Sequence, residues 1–180
     1  MRVTPSALPD VLVVEPQVHG DARGFFLESW NRRVFAEAGI DADFVQDNHS
    51  RSMHGVLRGL HYQIEHAQGK LVRVTEGAVL DVAVDLRRSS STFGRHVAIE
   101  LSSANRRMLW IPPGYAHGFV VVSDAAEFLY KTTDYWYPEH ERTLLWSDPT
   151  LAIAWPVGIT PVLAPRDAAG SPLARADCYP

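Results

Sequence analysis

The stretch KLVRVTEGAVLDVAVDL, residues 70–86, decides the fold class. Side chains alternate between the two faces of a β-strand. In its second half, Leu80, Val82, Val84 and Leu86 point one way, and Val79, Asp81, Ala83 and Asp85 point the other. In its first half, Lys70, Val72 and Val74 share a face. A period of two on each side of the turn signal TEGAV predicts strands over Lys70–Glu76 and Val79–Leu86. Lys70 therefore projects among aliphatic neighbours. A lysine in that setting is partly desolvated, which suits it to chemistry; the plainer alternative is an ammonium snorkelling at a strand end.

The same pattern extends outward. Leu12–Glu15, Gly24–Trp30, Gly55–Tyr62, Arg95–Leu101, Arg107–Ile111, Gly118–Val122 and Glu127–Thr132 also read as strands. HGDARG, RRSSSTFG, SSANRR, PPG and VSDAA mark turns between them. Short strands at this spacing predict an all-β sandwich or barrel rather than alternating β and α units. One helix is expected over Asn31–Ala38, with Asn31 as N-cap and Gly39 as its stop. No repeat, linker or composition break divides the chain, so residues 1–180 are expected to form one domain with a core over about 11–167 and a short tail, 168–180.

Composition narrows the function. With 46% hydrophobic and 21% charged residues, the chain is expected to be globular and soluble. A net charge of -4 argues against a general nucleic-acid or membrane-surface binder. The lone cysteine, Cys178, cannot form an internal disulfide and reads as a passive thiol in a loose tail. No run approaches the roughly 20 apolar residues of a membrane helix, and the start of the chain lacks a signal-peptide pattern. The expectation is a cytoplasmic enzyme or binding module.

Several chemistries can be set aside. A barrel metal site commonly takes two histidines one residue apart, then a carboxylate and a distant histidine. Here His61 is followed by Tyr62 and Gln63, and Lys70 stands where a carboxylate ligand would follow. His49, His54, His61 and His66 are too irregularly spaced for a ligand set, so no metal is expected. A GxSxG elbow and a glycine-rich phosphate loop are both absent. General acid–base work is left. His61 is the natural base, because an imidazole titrates near neutrality. Lys70 and His117 suit oxyanion stabilisation. Tyr130 suits proton donation. Arg23, Arg58 and Arg166 suit a diphosphate, which takes bidentate guanidinium contacts. Each residue alone has a structural alternative as a core histidine, rim tyrosine or solvated arginine. Strict alternation also puts Arg58 and His61 on opposite faces, unless a bulge at Gly59 re-aims one of them.

The motifs LRGLHYQ (57–63), QGKLVRV (68–74), LDVAVDLR (80–87), SSTFGRHVAIELS (90–102), LWIPPGYAHGF (109–119), EFLYKTTDYW (127–136) and PEHER (138–142) resemble, in order, the dTDP-4-dehydrorhamnose 3,5-epimerase family. The likeness runs from DARGFF at 21 to PRD at 167. It implies a cupin-type jelly-roll barrel with a few short helices, no metal or other cofactor, and a homodimer. It implies a dTDP-4-dehydro-6-deoxy sugar as substrate, epimerised at C3 and C5. By motif, His61 is implied as base, Asp167 as the carboxylate orienting its ring, Lys70 as stabiliser of the enolate oxygen, and Tyr130 as the acid on the opposite face. Arg23, Glu28, Gln46, Asn48, Arg58, His117, Glu141 and Arg166 match substrate contacts, and Phe25 and Tyr137 add apolar or stacking surface. Arg166 stands where the family often has lysine, and the tail after Asp167 carries little of the pattern. Two other readings stay open on the residues: a mono-epimerase of a related keto-sugar, and a non-catalytic sugar-binding barrel.

Overall fold

The two strands of the opening stretch are consecutive in sequence but lie in different sheets. A computed structural model describes residues 1–180. The chain leaves the first sheet at Glu76 and joins the second at Ala78, turning at Gly77 with φ +72°. A Cβ there would sit 1.9 Å from the Ala125 carbonyl oxygen, so only glycine fits this corner.

The strands are β1 (Arg2–Pro5), β2 (Leu12–Glu15), β3 (Val18–Asp21), β4 (Gly24–Leu27), β5 (Gln46–Met53), β6 (Val56–Gln63), β7 (Lys70–Glu76), β8 (Ala78–Asp85), β9 (His96–Ser102), β10 (Met108–Ile111), β11 (Tyr115–Val121), β12 (Ala125–Thr132), β13 (Glu141–Thr143) and β14 (Val162–Leu163). The helices are α1 (Arg32–Glu37), α2 (Pro165–Ala168) and a 3₁₀ turn at Leu173–Arg175. One sheet runs β1-β2-β10-β7-β12-β5 and the other β13-β6-β11-β8-β9. Their pairings are antiparallel, except that β14 adds to β6 in parallel. β3 and β4 form a separate hairpin. The two facing sheets make the cupin-like all-β fold, and no helix is long and apolar enough to cross a membrane.

Three apolar clusters hold this arrangement. Val72, Val74, Val79, Ala83, Phe119 and Phe128 fill the space between the sheets. Phe119 and Phe128 stack there at 4.2 Å between ring centroids. Truncating either phenylalanine to alanine costs about 3–5 kcal/mol at fully buried sites. Outside the second sheet, Leu60, Tyr62, Val82, Val84 and Leu86 pack under Leu151 and Ala176. Outside the first, Leu71, Met108 and Trp110 receive Phe35 and Ile40 from α1 and its exit. Both faces of β8 are thus covered, which explains its near-continuous apolar run.

Leu12–Glu15 and Lys70–Glu76 form strands with the expected limits. α1 also follows the expectation: Asn31 caps it, its Oδ1 accepting from the Val34 N–H at 3.4 Å, and the helix stops before Gly39. The strand expected over Gly24–Trp30 ends at Leu27, because its partner β3 begins opposite, at Val18. Trp30 instead packs on Phe35 and Phe44. HGDARG is only partly turn, since β3 runs to Asp21. The strand expected at Gly118 starts at Tyr115, which pairs with Asp85. β5 carried no apolar signal at all: Gln46, Asn48, Ser50 and Ser52 face inward and Asp47, His49, Arg51 and Met53 face out. Pairing with β12 along all eight residues makes it a strand. The C-terminal segment is not loose. Tyr179 exchanges backbone hydrogen bonds with Leu86 and Arg88, and the Tyr62 hydroxyl donates to the Asp177 carbonyl at 2.7 Å. Cys178 is half-buried beneath it.

Candidate active site

A glycine pair shapes the cavity between the sheets. Opposite β11, His61 pairs with His117 and Arg58 with Phe119, so three steps along β6 span two along β11. This is a bulge at Gly59–Leu60, and it turns Arg58 and His61 to the same, inner face. Gly59 sits at φ +128°. A Cβ on it would lie 2.6 Å from the Gly118 Cα, and one on Gly118 would lie 2.5 Å from the Arg58 carbonyl oxygen. The two strands can touch here only because neither residue has a side chain.

The cavity has two adjoining lobes of about 220 and 400 Å³. His61, Lys70, Tyr130, Asn48 and Arg166 line both. Arg58, His117 and Phe128 line the smaller lobe, and Gln46, Glu141 and Trp136 the larger. The second sheet supplies Arg58, His61 and His117; the first supplies Gln46, Asn48, Lys70 and Tyr130. Groups on opposite sheets can address opposite faces of anything bound between them.

Asp167 reaches this place by an indirect route. β14 lies parallel against Val56 and Leu57 of β6, and α2 follows at once with Pro165 in its first turn. Asp167 is 2% exposed, and His61 Nε2 lies 2.5 Å from its Oδ1. A short, buried imidazole–carboxylate pair fixes the ring's orientation and leaves Nδ1 as the other working nitrogen. His117 is held in the same way, its Nε2 3.0 and 2.9 Å from the two oxygens of Asp81, which is fully buried. The sequence reading named His117 and missed Asp81. The signal was present, because Asp81 shares its strand face with Val79 and Ala83, the same oddity that marked Lys70.

Lys70 is 8% exposed, and Nζ lies 3.4 Å from the His61 carbonyl oxygen. Burial pushes its pKa down to about 8, while Glu141 and Asp81 pull the other way. Burial raises the Tyr130 phenol above its ordinary value, helped by the charge of Glu141 and opposed by Arg166 and Arg58. That phenol is therefore protonated near neutral pH. Arg58 Nε donates to Ser52 Oγ at 3.0 Å, and Arg166 pairs with Glu141 at 2.9 Å. Gln46 Nε2 donates to Asn48 Oδ1 at 3.0 Å, which leaves the Asn48 amide nitrogen buried and unpartnered beside the cavity. An orphaned buried donor is costly unless a ligand takes its hydrogen bond. Arg166 is paired with Glu141, and Lys70 lies near Glu141 and Asp81, whereas Arg58 brings its guanidinium to the smaller lobe with a serine as its side-chain partner. A guanidinium without a carboxylate partner suits a diphosphate.

Not every expected residue gathers here. Arg23 and Phe25 ride on the β3–β4 hairpin. Arg23 pairs with Asp21 at 2.6 Å, and Phe25 is 60% exposed with the Arg106 guanidinium over its ring. Glu28 follows the hairpin and accepts from Asn31 Nδ2 at 3.1 Å. None of the three lines the cavity of its own chain. The Tyr137 ring stacks on His66 at 4.2 Å. Of the other histidines weighed as ligands, His49 lines the smaller lobe and pairs with Glu127, while His54 is bound to the Ser123 carbonyl and His66 to Asp134.

A cavity that pairs a braced imidazole with a phenol and a desolvated lysine, and adds arginines, is built to move a proton next to a carbonyl in an anionic substrate. Known proteins point the same way. The family model described as dTDP-4-dehydrorhamnose 3,5-epimerase matches residues 5–175. A dTDP-4-dehydrorhamnose 3,5-epimerase of Pseudomonas aeruginosa is 61% identical over 181 residues, covering 100% of each chain. The crystal structure of a 3,5-epimerase from Legionella pneumophila, in complex with dTDP-4-keto-L-rhamnose, aligns with a TM-score of 0.95 at 50% identity, over 98% of this chain and 94% of that one. A 3'-monoepimerase from Streptomyces bikiniensis, in complex with dTDP-quinovose, aligns with a TM-score of 0.90 at 33% identity, over 95% and 87%. Matches of this extent and identity go beyond a shared fold, and they agree with the cavity: the chain belongs to the dTDP-4-dehydrorhamnose 3,5-epimerase family.

Proposed function

We propose that this chain converts dTDP-4-dehydro-6-deoxy-D-glucose to dTDP-4-dehydro-L-rhamnose by inverting C3 and C5. The observation that carries the reading is the placement of His61 and Tyr130 on opposite sheets of one cavity, with Lys70 beside them. His61, oriented by Asp167, takes the proton from the carbon next to the C4 ketone. The C–H electron pair moves into the ring, and the ketone oxygen becomes an enolate oxygen, which Lys70 stabilises. The enolate then collapses as Tyr130 delivers a proton from the other face. The same sequence serves C3 and C5, because both flank the ketone. Each inversion leaves the abstracted proton on His61 and a deprotonated Tyr130, and both return to their starting states by exchange with solvent before the second carbon reacts; no oxidant or reductant is needed. A positioned base contributes about 10²–10⁴-fold, and a preorganised oxyanion donor about 2.7–4 kcal/mol. Arg58, Arg166 and His117 hold the diphosphate and sugar, with Gln46, Asn48 and Glu141 completing the contacts.

The chain acts as one domain in a cytoplasmic homodimer. In the dimer, the exposed Phe25 and Phe26 are covered, and the hairpin brings Arg23, Phe25 and Glu28 to the substrate held by the partner. The exposure of these two phenylalanines, 60% and 70%, supports this reading. Sedimentation of the purified protein at twice the monomer mass is expected; a monomer at assay concentrations overturns it.

The likeness to a 3'-monoepimerase supports a second reading, inversion at C3 alone. Incubation with dTDP-4-dehydro-6-deoxyglucose in D₂O separates the two. Deuterium at both C3 and C5, with the L-rhamno product trapped by reduction, is expected. Deuterium at C3 alone makes the chain a mono-epimerase, and no exchange at either carbon overturns both.

A further inference from the structure

Gln63 ends β6, two residues after His61, and is 3% exposed. A buried primary amide must satisfy two donor hydrogens and an acceptor oxygen. Gln63 satisfies them with the backbone of two loops. Its Nε2 donates to the carbonyl oxygens of His66 at 2.8 Å and Tyr135 at 3.2 Å, and its Oε1 accepts from the Tyr137 N–H at 2.7 Å. The loops, 64–69 and 133–140, are tied to each other as well. Gln68 Nε2 donates to the carbonyls of Asp134 and Tyr135, at 3.0 and 3.1 Å, and His66 stacks on Tyr137.

Trp136 lies between the two residues of the second loop that Gln63 grips. It lines the larger lobe beside Glu141 and Arg166, yet it is 53% exposed, so little else packs it in place. Its backbone N–H donates to Gln46 Oε1 at 3.1 Å. The first loop runs straight into Lys70, and Gly69 and Thr133 exchange two hydrogen bonds at that junction.

We propose that Gln63 is a positioning residue for substrate binding: by clamping the backbone on both sides of Trp136, it holds the indole as a fixed wall of the cavity. β6 keeps His61 in place through its own ladder with β11 and β13, so the loss of the clamp falls on binding and not on proton transfer. An unclamped loop must be ordered at each binding event, and affinity drops by that cost. The inference rests on the proposed epimerase reaction.

The test is a double-mutant cycle between Gln63→Leu and Trp136→Ala, read as KM and kcat for the 4-keto sugar nucleotide and as dTDP affinity by calorimetry. Gln63→Leu is expected to raise KM and weaken dTDP binding about ten-fold, with kcat changed less than about three-fold. In the Trp136→Ala background it should add almost nothing. Gln63→Asn keeps the amide on a side chain one carbon shorter, so it recovers only part of the bonds to His66, Tyr135 and Tyr137 and should fall between Gln63→Leu and the parent; it also stands in if Gln63→Leu fails to fold. Equal penalties in the two backgrounds, or a fall in kcat with KM unchanged, overturn the inference. A parent protein that binds dTDP but catalyses no exchange sinks the proposed reaction instead, and the calorimetric cycle still decides the clamp.

Discussion

His61 and His117 are direct partners across adjacent antiparallel strands, and each is braced by its own buried aspartate, Asp167 and Asp81. The two pairs differ in access: the His61 side chain is 17% exposed and that of His117 is 8%. Both rings line the same lobe, so their substitutions should separate the base from the binding group.

His61→Asn is expected to abolish solvent exchange at C3 and C5, a loss of at least about 10²–10⁴-fold. dTDP binding should persist within a few-fold. Exchange that survives in the variant removes His61 as base. Asp167→Asn should reduce exchange in the same direction, because the imidazolium formed on proton abstraction loses its buried counter-charge.

Asp81→Asn probes the second pair. If His117 serves binding, the variant should raise KM several-fold while exchange at saturating substrate stays near parent values. A collapse of kcat comparable to that of His61→Asn would assign His117 to the chemistry.

Tyr130→Phe should hurt inversion more than first proton removal. Deuterium washed into recovered substrate, measured against product formed, gives the ratio. Equal losses in both rates count against Tyr130 as the acid. Because burial raises the phenol above its ordinary value, the parent should keep this acid protonated through neutral pH.

Lys70 predicts opposite trends for activity and stability. With its pKa lowered to about 8, the ammonium is lost as pH rises through about 8, and activity should fall there. Stability moves the other way. Between about pH 8 and its ordinary 10.5 the unfolded chain binds more protons than the folded one, so this group's contribution to stability rises across that window. Lys70→Met removes the buried charge altogether. It should destroy epimerisation, and at pH 7 it should stabilise the fold by about 1–3 kcal/mol. A melting temperature below that of the parent at pH 7 contradicts the desolvation account.

Much of this site could be read before any coordinates. Lys70 stood out as a cation on an aliphatic strand face, and His61 and Tyr130 followed from the elimination of other chemistries and from motif. The sheet partners could not be read: alternation orients a side chain but does not say which strand lies beside it, so the crossing between β7 and β8 was invisible. β5 was missed because its inward residues face a polar cavity rather than a core. The position of Asp167 depends on β14, two residues paired in parallel with a strand more than 100 positions earlier, and no local pattern encodes that. The bulge that unites Arg58 with His61 was guessed from Gly59, since glycine in a strand marks a close approach or a break in pairing.

Gly59 and Gly118 set a limit on how this catalyst can be redesigned. A library that randomised the whole pocket wall to accept other sugars would waste its variants at these two positions, where the first added carbon meets backbone. Gly59→Ala alone should cost about 3 kcal/mol or more, seen as a lowered midpoint in urea. Useful diversity lies on the other sheet and its loops, at Asn48 and Trp136, where new side chains can change the shape of the lobe while Arg58 and His61 stay in register.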